Sequence, residues 1–225
     1  MKKKTLLSWS SGKDSAWALY LLQNDPDIDL RGLFCTINEV FDRVAMHAVR
    51  VELLKQQAKA ANQPIQIINI PYPCSNDDYE EILGNFVKKA KEDGIEYMAF
   101  GDLFLEDVRQ YRIRNLANTS IKPLFPVWGI PTDKLSKEMV ASGLKARISC
   151  IDPKVLSPDF AGREYNQEFL NDLPASIDPC GEKGEFHSFC FAGPMFEKEV
   201  EVSLGEIVNR DGFVFADLLA KKTNN

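Results

Sequence analysis

A short loop of small and charged residues, Ser10-Ser11-Gly12-Lys13-Asp14-Ser15, most restricts what this chain can fold into. The apolar run 5–9 precedes the loop and predicts a strand, and the run 16–23 follows it and predicts a helix. A tight loop between a strand and a helix turns backbone N–H groups outward, where they bind phosphate oxygens. The loop therefore predicts an α/β fold with a nucleotide site behind its first strand.

The residues of the loop exclude two common phosphate-binding loops. A Walker A loop needs a leading Gly and a Ser or Thr after its Lys, and here Leu7 and Asp14 hold those positions. A Rossmann loop needs several glycines, and this loop contains only Gly12. The remaining alternatives are another class of nucleotide loop or a surface turn before an ordinary helix.

Each residue of the loop has a chemical use in a phosphate site. Ser10, Ser11 and Ser15 offer hydroxyl and N–H groups to phosphate oxygens, and Gly12 allows the backbone to approach closely. Lys13 supplies a positive charge for the β- and γ-phosphates. Ser15 is also predicted to be the N-cap of the helix, because its hydroxyl can accept an N–H of the first turn.

The first half of the chain alternates strand and helix patterns. The order β-α-β-α-β-α-β predicts a doubly wound parallel sheet with helices on both faces. Ligands of such sheets bind at the carboxyl ends of the strands. Both the 10–15 loop and the pair Gly101-Asp102 lie at such ends. The predicted strands are 5–9, 30–37, 65–70 and 95–100. The predicted helices are 16–23, 46–61 and 79–90.

The pattern is less regular after residue 130. A helical run at 132–142 precedes strand-like runs at 146–151, 200–204 and 213–215. We therefore predict two domains, a nucleotide-binding domain at 1–130 and a smaller α+β substrate domain at 131–225.

The composition of the chain restricts which binding partners and which cellular compartment we expect. The net charge of −6 argues against broad nucleic-acid binding. The five cysteines form no Cys-x-x-Cys pair, which indicates reduced thiols. No apolar stretch approaches the about 20 residues that span a bilayer, so we expect a cytoplasmic protein. The chain could also form a homodimer.

Charged residues follow the fourth predicted strand. Asp102 lies at the expected catalytic edge and, with Asp14, is a candidate ligand of Mg²⁺. Arg109, Arg112 and Arg114 follow, and each is a candidate for binding a phosphate or a carboxylate substrate. The alternative for this segment is a solvated helix with ion pairs between neighbouring turns.

A second cluster, Cys180–Ser188, crowds two carboxylates and a histidine between glycines. Glu182 and Glu185 could bind an amine or a metal, or shift each other's pKa. His187 could act as a general base near neutral pH, although a lone histidine also serves as a structural residue.

These segments together carry a family resemblance. The first loop resembles the Ser-Gly-Gly-Lys-Asp-Ser signature of the PP-loop, or N-type, ATP pyrophosphatases, with Ser11 in place of the first Gly. That exchange is small as long as the backbone at Ser11 needs no positive φ. The whole chain resembles the branch of that superfamily that includes diphthine–ammonia ligase. The segments that carry this resemblance are Ser10–Ser15, Gly101-Asp102, Pro123–Trp128, Gly181–His187 and Gly193–Phe196.

The resemblance implies an adenine nucleotide alpha hydrolase-like, Rossmann-like α/β/α sandwich and an amide-forming ligase that uses ATP and Mg²⁺. A small-molecule or side-chain carboxylate would be adenylated, pyrophosphate would leave, and ammonia or an amine would displace AMP. Lys13, Asp14 and Asp102 would be catalytic, and Ser10–Ser15 with Gly101 would bind ATP and pyrophosphate. The residues implied for the acceptor are His47, Arg109, Glu182, Glu185 and His187.

Two departures from the ligase leave the acceptor unnamed. The ligase usually has Glu-Thr after the Phe of the late motif, where this chain has His187-Ser188. The segment 46–50, which contains His47, is more similar to a bacterial branch. Two alternatives therefore stay open: a PP-loop enzyme that thiolates or otherwise modifies RNA, with Cys35 its best-placed cysteine, and a non-catalytic ATP or AMP sensor.

Overall fold

Two β-sheets, one from each half of the chain, organise the fold. The computed structural model describes residues 1–38, 43–44 and 49–221. The elements of the first half are β1 Lys3–Ser8, α1 Lys13–Asn24, β2 Ile28–Asn38, β3 Arg43–Val44, α2 Val51–Ala60, β4 Ile65–Ile70, α3 Asn76–Glu92, β5 Tyr97–Ala99, α4 Glu106–Leu116 and β6 Lys122–Leu124. The elements of the second half are α5 Thr132–Ala141, β7 Lys145–Ile151, β8 Glu164–Tyr165, α6 Gln167–Asp172, β9 Phe186–Ala192, β10 Val202–Arg210 and β11 Phe213–Ala220.

The first sheet is the predicted parallel sheet. Its parallel strands lie in the order β4-β2-β1-β5-β6, and the short β3 pairs antiparallel with the end of β2. Neighbouring residues of β1 point to opposite faces, since Leu7 belongs to one buried cluster and Leu6 to the other. Helices α1 and α2 pack in the cluster of Leu7, and α3 and α4 contribute to that of Leu6. The doubly wound α/β prediction is confirmed.

Helix α3 shows how local sequence sets the bounds of an element. The apolar stripe between Tyr79 and Ala90 predicts its middle, and the capping box before it sets its start. The hydroxyl of Ser75 accepts the N–H of Asp78 at 3.1 Å, and the Asp78 carboxylate accepts the N–H of Ser75 at 3.3 Å. Gly94, with φ at 78°, follows the helix and lets the chain turn into β5.

The second sheet is antiparallel and confirms a smaller α+β region. Its strands pair in the order β10-β11-β7-β8, and β9 also pairs with β7. Strands β10 and β11 are longer than the sequence pattern indicates. They join through the two-residue turn Asp211-Gly212, whose φ values are both positive, at 52° and 83°. Asp-Gly is a strong hairpin signal of this kind, so the sequence did contain the information for this hairpin.

The two sheets share one buried core. Trp17 and Leu19 of α1 belong to the same cluster as Phe189 and Cys190 of β9. The predicted division at residue 130 therefore separates two sheets that pack on each other, and the division itself stays a prediction.

The structure also bears on the cysteines and on the membrane question. All five cysteines are free thiols, and all but Cys74 are buried. Among the described residues, no helix has both the length and the apolar character that crossing a membrane requires.

Candidate functional site

Two adjoining cavities open at the carboxyl ends of the parallel strands. The larger, about 500 Å³, lies between the sheet and helices α3 and α4 and has aromatic walls that include Phe34, Phe86 and Phe100. The smaller, about 220 Å³, lies between the 10–15 loop and the 180–188 segment. Both are lined by Ser8, Ser10, Phe100 and Arg112, so they form one continuous cleft.

The 10–15 loop brings the start of helix α1 to the smaller cavity. Gly12 is the N-cap, and Gly12, Lys13 and Asp14 all line the cavity wall. Ser15 also lines the wall, but it is the third residue of the helix, so its predicted N-cap role is wrong. Its hydroxyl instead donates to the carbonyl of Gly12 at 3.0 Å and lies 3.1 Å from the hydroxyl of Ser10. The helix begins at Lys13 because Gly12 already has the extended backbone of a cap.

Ser11 differs from the other residues of the loop. Its φ is +69°, the left-handed conformation that favours glycine and costs other residues on the order of 1–2 kcal/mol. The condition on which the Gly-to-Ser exchange is small is therefore not met. Ser11 is fully buried, its hydroxyl has no hydrogen-bond partner among the described residues, and it lines neither cavity.

Gln57, on α2, ties the loop to both halves of the chain. This side chain is fully buried and accepts the Nε1–H of Trp9 at 3.0 Å. Its amide donates to the carbonyl of Ser11 at 2.9 Å and to the carbonyl of Cys190. The N–H of Cys190 donates to the same Ser11 carbonyl at 2.9 Å. Strand β9 of the second sheet therefore fixes the position of the loop.

Lys13 is the most buried charged side chain of the site, with 2% of its surface exposed. Its Nζ donates to Asp14 Oδ2 at 2.9 Å and to the carbonyl of Cys180. Burial alone would lower the pKa of Lys13, but the charges of Asp14 and other groups outweigh it and raise the pKa. Lys13 therefore carries its positive charge in the cavity wall.

The two predicted metal ligands meet at the same cavity. Burial raises the pKa of Asp14, and Lys13 partly offsets that rise. Asp14 Oδ1 is buried with no hydrogen-bond partner among the described residues. Asp102 lines the same cavity and pairs with Arg112, whose Nε lies 3.3 Å from Asp102 Oδ2. Within the described ranges, no three His, Cys, Asp or Glu side chains are grouped so that they could bind a metal by themselves.

Gly101 permits this arrangement by its lack of a side chain. A Cβ at this position would lie 3.0 Å from the backbone N of Ser15 and 3.1 Å from the carbonyl carbon of Asp14. The end of β5 therefore lies directly against the first turn of α1, and Asp102 is brought close to Asp14.

The two glutamates of the late motif have different positions. Glu182 lines the smaller cavity, and its Oε1 accepts the N–H of Leu103 at 2.9 Å. Burial raises the pKa of Glu182 to about 7, and the nearby charge of Asp14 adds to the rise. Glu185 lines neither cavity and is 5% exposed. Its carboxylate accepts the N–H groups of Asp178 and Lys183 at 3.0 and 2.9 Å, so it holds the loop of the motif in shape.

Arg109 also lies outside both cavities, and its contact with a substrate stays a prediction. Its guanidinium packs 4.8 Å from the ring centroid of Trp128 and 5.5 Å from that of Phe125, and it pairs with Glu106 at 3.4 Å. The aromatic residues after β6 offer the planar group a contact surface there. Arg112, one helical turn later, lines both cavities, and Arg114 lines the larger one.

The predicted histidines divide in the same way. His187 lines the smaller cavity, whereas His47 lies outside the described residues. Burial lowers the pKa of His187 to about 4, and the charge of Lys13 contributes. His187 is therefore neutral near pH 7. Ser188, which follows it, accepts the N–H of Lys13 at 3.2 Å and so satisfies a free donor of the first turn of α1.

The shifted pKa values of His187 and Glu182 predict opposite effects of acid on stability. Below pH 6.5 the unfolded chain protonates His187 but the folded chain does not, so the free energy of unfolding falls between pH 6.5 and 4. Glu182 does the reverse, because the folded chain takes its proton near pH 7 and the unfolded chain only near 4.5. Urea unfolding at pH 7 and 4.5 should show that His187→Asn reduces the acid-induced loss by about 2 kcal/mol. Glu182→Gln should increase that loss. Changes of the same sign in both variants would contradict these assignments.

The sequence of this chain matches the models of a known protein family. Residues 2–120 match the family model described as the diphthamide synthase N-terminal domain, and residues 131–220 match that of the diphthamide synthase C-terminal domain. Three similar curated relatives, each named diphthine–ammonia ligase, come from Homo sapiens, Mus musculus and Schizosaccharomyces pombe.

The extent of these similarities is limited. The human protein is 28% identical over 151 residues, and the mouse protein 30%; both alignments cover 64% of this chain and 55% of the relative. The Schizosaccharomyces pombe protein is 25% identical over 174 residues, which cover 74% of this chain and 28% of the relative. The chain therefore spans about half the length, or less, of the curated relatives that it matches.

Proposed function

The chain belongs to the diphthamide synthase family, and we propose that it is an ATP-dependent ligase that adenylates a carboxylate and converts it into an amide with ammonia or an amine. The observation that carries the proposal is the cleft itself. It joins a cavity of about 500 Å³ with aromatic walls to a polar one built on the N-terminus of α1 and the charge of Lys13. Aromatic walls with some polar groups suit a nucleoside, and a helix N-terminus with a lysine suits phosphate.

Each cavity would bind a different part of ATP. The adenosine part would lie in the larger cavity among the rings of Phe34, Phe86 and Phe100. The phosphates would extend past Ser10, which borders both cavities, to the N–H groups of α1 and the ammonium of Lys13. The shared wall supports this orientation, because it leaves the α-phosphate near the junction of the cavities.

Mg²⁺ fits the carboxylates of this cleft. Asp14 Oδ1 is buried with no hydrogen-bond partner in the described part of the chain, and Asp102 lines the same cavity. Mg²⁺ is commonly held by one or two carboxylates together with substrate phosphates, so a full cage of protein ligands is not needed. When bound, Mg²⁺ would neutralise charge on the phosphate oxygens. Asp14 and Asp102 are the residues that would hold it.

The reaction takes two steps. In the first, a carboxylate oxygen of the acceptor forms a bond to the α-phosphorus, and the bond from that phosphorus to the bridging oxygen of the β-phosphate breaks. Pyrophosphate carries away the bonding electron pair, and Lys13 with the α1 N–H groups stabilises its charge. In the second step, the nitrogen of ammonia bonds to the acyl carbon, AMP leaves, and the nitrogen loses a proton.

The acceptor would bind in the smaller cavity. Glu182 and His187 line its wall, and Arg112 borders the junction with the larger cavity. Glu182, whose pKa is about 7, is able to accept a proton near neutral pH. His187 is neutral there, so its ring can accept or donate a hydrogen bond to the acceptor. Diphthine, which the names of the relatives contain, is the first acceptor to test. His47 stays a predicted acceptor contact.

The products of ATP cleavage test this proposal. With ATP, Mg²⁺, ammonium and a suitable carboxylate, we expect equal amounts of AMP and pyrophosphate, measured by chromatography. A polypeptide that carries diphthine is the first acceptor, and a panel of metabolite carboxylic acids is the second. Omission of the acceptor is the control and should stop AMP release. Formation of ADP and phosphate would contradict the α-phosphate chemistry.

The RNA-thiolation alternative loses support from the structure. Cys35 lines the larger cavity, but burial raises the pKa of its thiol to about 12. A thiol with such a pKa is a poor nucleophile near neutral pH. The sensor alternative would bind ATP in the same cleft, and the product assay distinguishes it, because a sensor releases no AMP.

Three expectations complete the proposal. Residues 1–130 would form the ATP-binding domain and residues 131–225 the smaller substrate domain. The cytoplasmic location and the homodimer also stay predictions. Size-exclusion chromatography with light scattering measures the oligomeric state directly.

A further inference from the structure

The ammonium of Lys13 lies over two aromatic rings of the second sheet. Its Nζ is 5.5 Å from the ring centroid of Tyr165, on β8, and 5.2 Å from that of Phe186, on β9. Each of the two aromatic residues, which we call the aromatic pair, is 1% exposed. Both distances are within the about 6 Å at which a cation is attracted to the face of a ring. The site lysine of the first half is thus held by rings of the second half.

The other contacts of Lys13 leave room for a ligand. A lysine ammonium has three N–H donors. One donates to Asp14 Oδ2 and one to the carbonyl of Cys180. The ammonium makes no third hydrogen bond within the described part of the chain, and Lys13 lines the smaller cavity. The remaining donor is therefore available to an oxygen atom in that cavity, such as one of a phosphate.

The aromatic pair is itself held firmly in place. The hydroxyl of Tyr165 donates to the carbonyl of Pro179 at 2.8 Å. Phe169 packs against both rings, with centroid distances of 5.5 and 5.4 Å. Gly181 has a φ of +70°, and a Cβ there would lie 2.8 Å from the carbonyl oxygen of Phe186 and 3.0 Å from its ring. Glycine at this position therefore lets the backbone of the late motif pack directly on Phe186.

We propose that Tyr165 and Phe186 are positioning residues for Lys13, which they hold by cation–π attraction so that its third N–H faces the phosphates of ATP. This inference rests on the proposed function, since it takes ATP as the ligand. It gives the second sheet a part in nucleotide binding, although the phosphate loop belongs to the first. Neither ring needs to touch the nucleotide.

Fluorination of Phe186 tests the attraction without removing the ring. A 3,4,5-trifluorophenylalanine at position 186 keeps nearly the same shape but withdraws electrons from the ring face. We expect it to bind ATP with Mg²⁺ about five-fold more weakly in calorimetry, the size expected for the loss of one buried cation–π contact. A single fluorine should have a smaller effect in the same direction.

Phe169 supplies the matched control. It is as buried as Phe186 and packs against both rings of the aromatic pair, but its cation–π contact is with Arg163, at 5.8 Å, and not with Lys13. Fluorination at position 169 should leave ATP affinity unchanged. In a Lys13→Met background, fluorination at position 186 should also have no effect, because the cation is absent.

The outcomes separate this inference from the proposed function. If the unaltered chain binds ATP and fluorination at positions 186 and 169 has equal effects, or none, the aromatic pair does not position Lys13 and this inference alone is wrong. If the unaltered chain does not bind ATP, the proposed function fails and this inference fails with it. Tyr165→Phe retains the ring and should keep ATP affinity, whereas Tyr165→Leu should weaken it, and circular dichroism verifies that both variants fold.

Discussion

Replacement of Lys13 by methionine should slow the release of AMP and pyrophosphate by about a thousandfold. The side chain keeps its length and apolar stem, but the leaving pyrophosphate loses a buried cation in the cavity wall. Removal of a single preorganised group that stabilises transition-state charge typically costs two to three orders of magnitude in rate. Steady-state assays with ATP, ammonium and a productive acceptor measure the change.

Lys183 offers a matched control for this experiment. It lies in the late motif close to the same cavity, but its side chain is exposed and does not line the wall. Lys183→Met changes the net charge by the same amount and should retain nearly full activity. A Lys13→Met protein that folds, as judged by circular dichroism, and works within tenfold of the unaltered rate would remove Lys13 from the mechanism.

The parts of the site that local sequence determines could be predicted. A strand, a tight loop and a helix in succession place Lys13 at a helix N-terminus whatever the rest of the chain does. The carboxyl ends of parallel strands meet at one edge, so Asp102 could be expected near Asp14 once the β-α-β order was recognised. These predictions depend on short-range patterns and on a topology that few alternatives can satisfy.

The remaining parts depend on contacts between distant segments. The two glutamates of one motif are three residues apart, yet Glu182 lines the cavity and Glu185 binds backbone N–H groups. Only the fold of the loop decides which carboxylate faces which side. Likewise, nothing local to Tyr165 indicates that it lies under Lys13, which is far away in sequence.

Gln57 is the one missed residue for which the sequence contains a signal. It lies within the apolar stripe of α2, at a position that Leu53, Leu54 and Ala58 show to be buried. Buried amides are almost always hydrogen-bonded, so a glutamine in such a stripe indicates polar partners from elsewhere in the chain. The structure identifies them as Trp9, Ser11 and Cys190.

Replacement of Gln57 by methionine should therefore lower the free energy of unfolding by about 3 kcal/mol. Methionine fills a similar volume, but the Nε1–H of Trp9 loses its acceptor in the core and two carbonyls lose a donor. Urea unfolding followed by tryptophan fluorescence measures the loss. Gln56→Met is the control, because the side chain of Gln56 is partly exposed and makes no hydrogen bond among the described residues. This substitution should change the free energy of unfolding by less than about 0.5 kcal/mol.

The same variant should weaken ATP binding at temperatures where it remains folded. The carbonyl of Ser11 is held by Gln57 and by the N–H of Cys190, and the helix that follows carries Lys13. Loss of the hydrogen bond from Gln57 allows the loop to shift relative to strand β9. The N–H groups at the start of α1 are then no longer held in the orientation that binds the phosphates. Calorimetry with ATP and Mg²⁺ should show weaker binding for Gln57→Met and unchanged binding for Gln56→Met. If Gln57→Met were destabilised yet bound ATP normally, Gln57 would stabilise the core without positioning the phosphate loop.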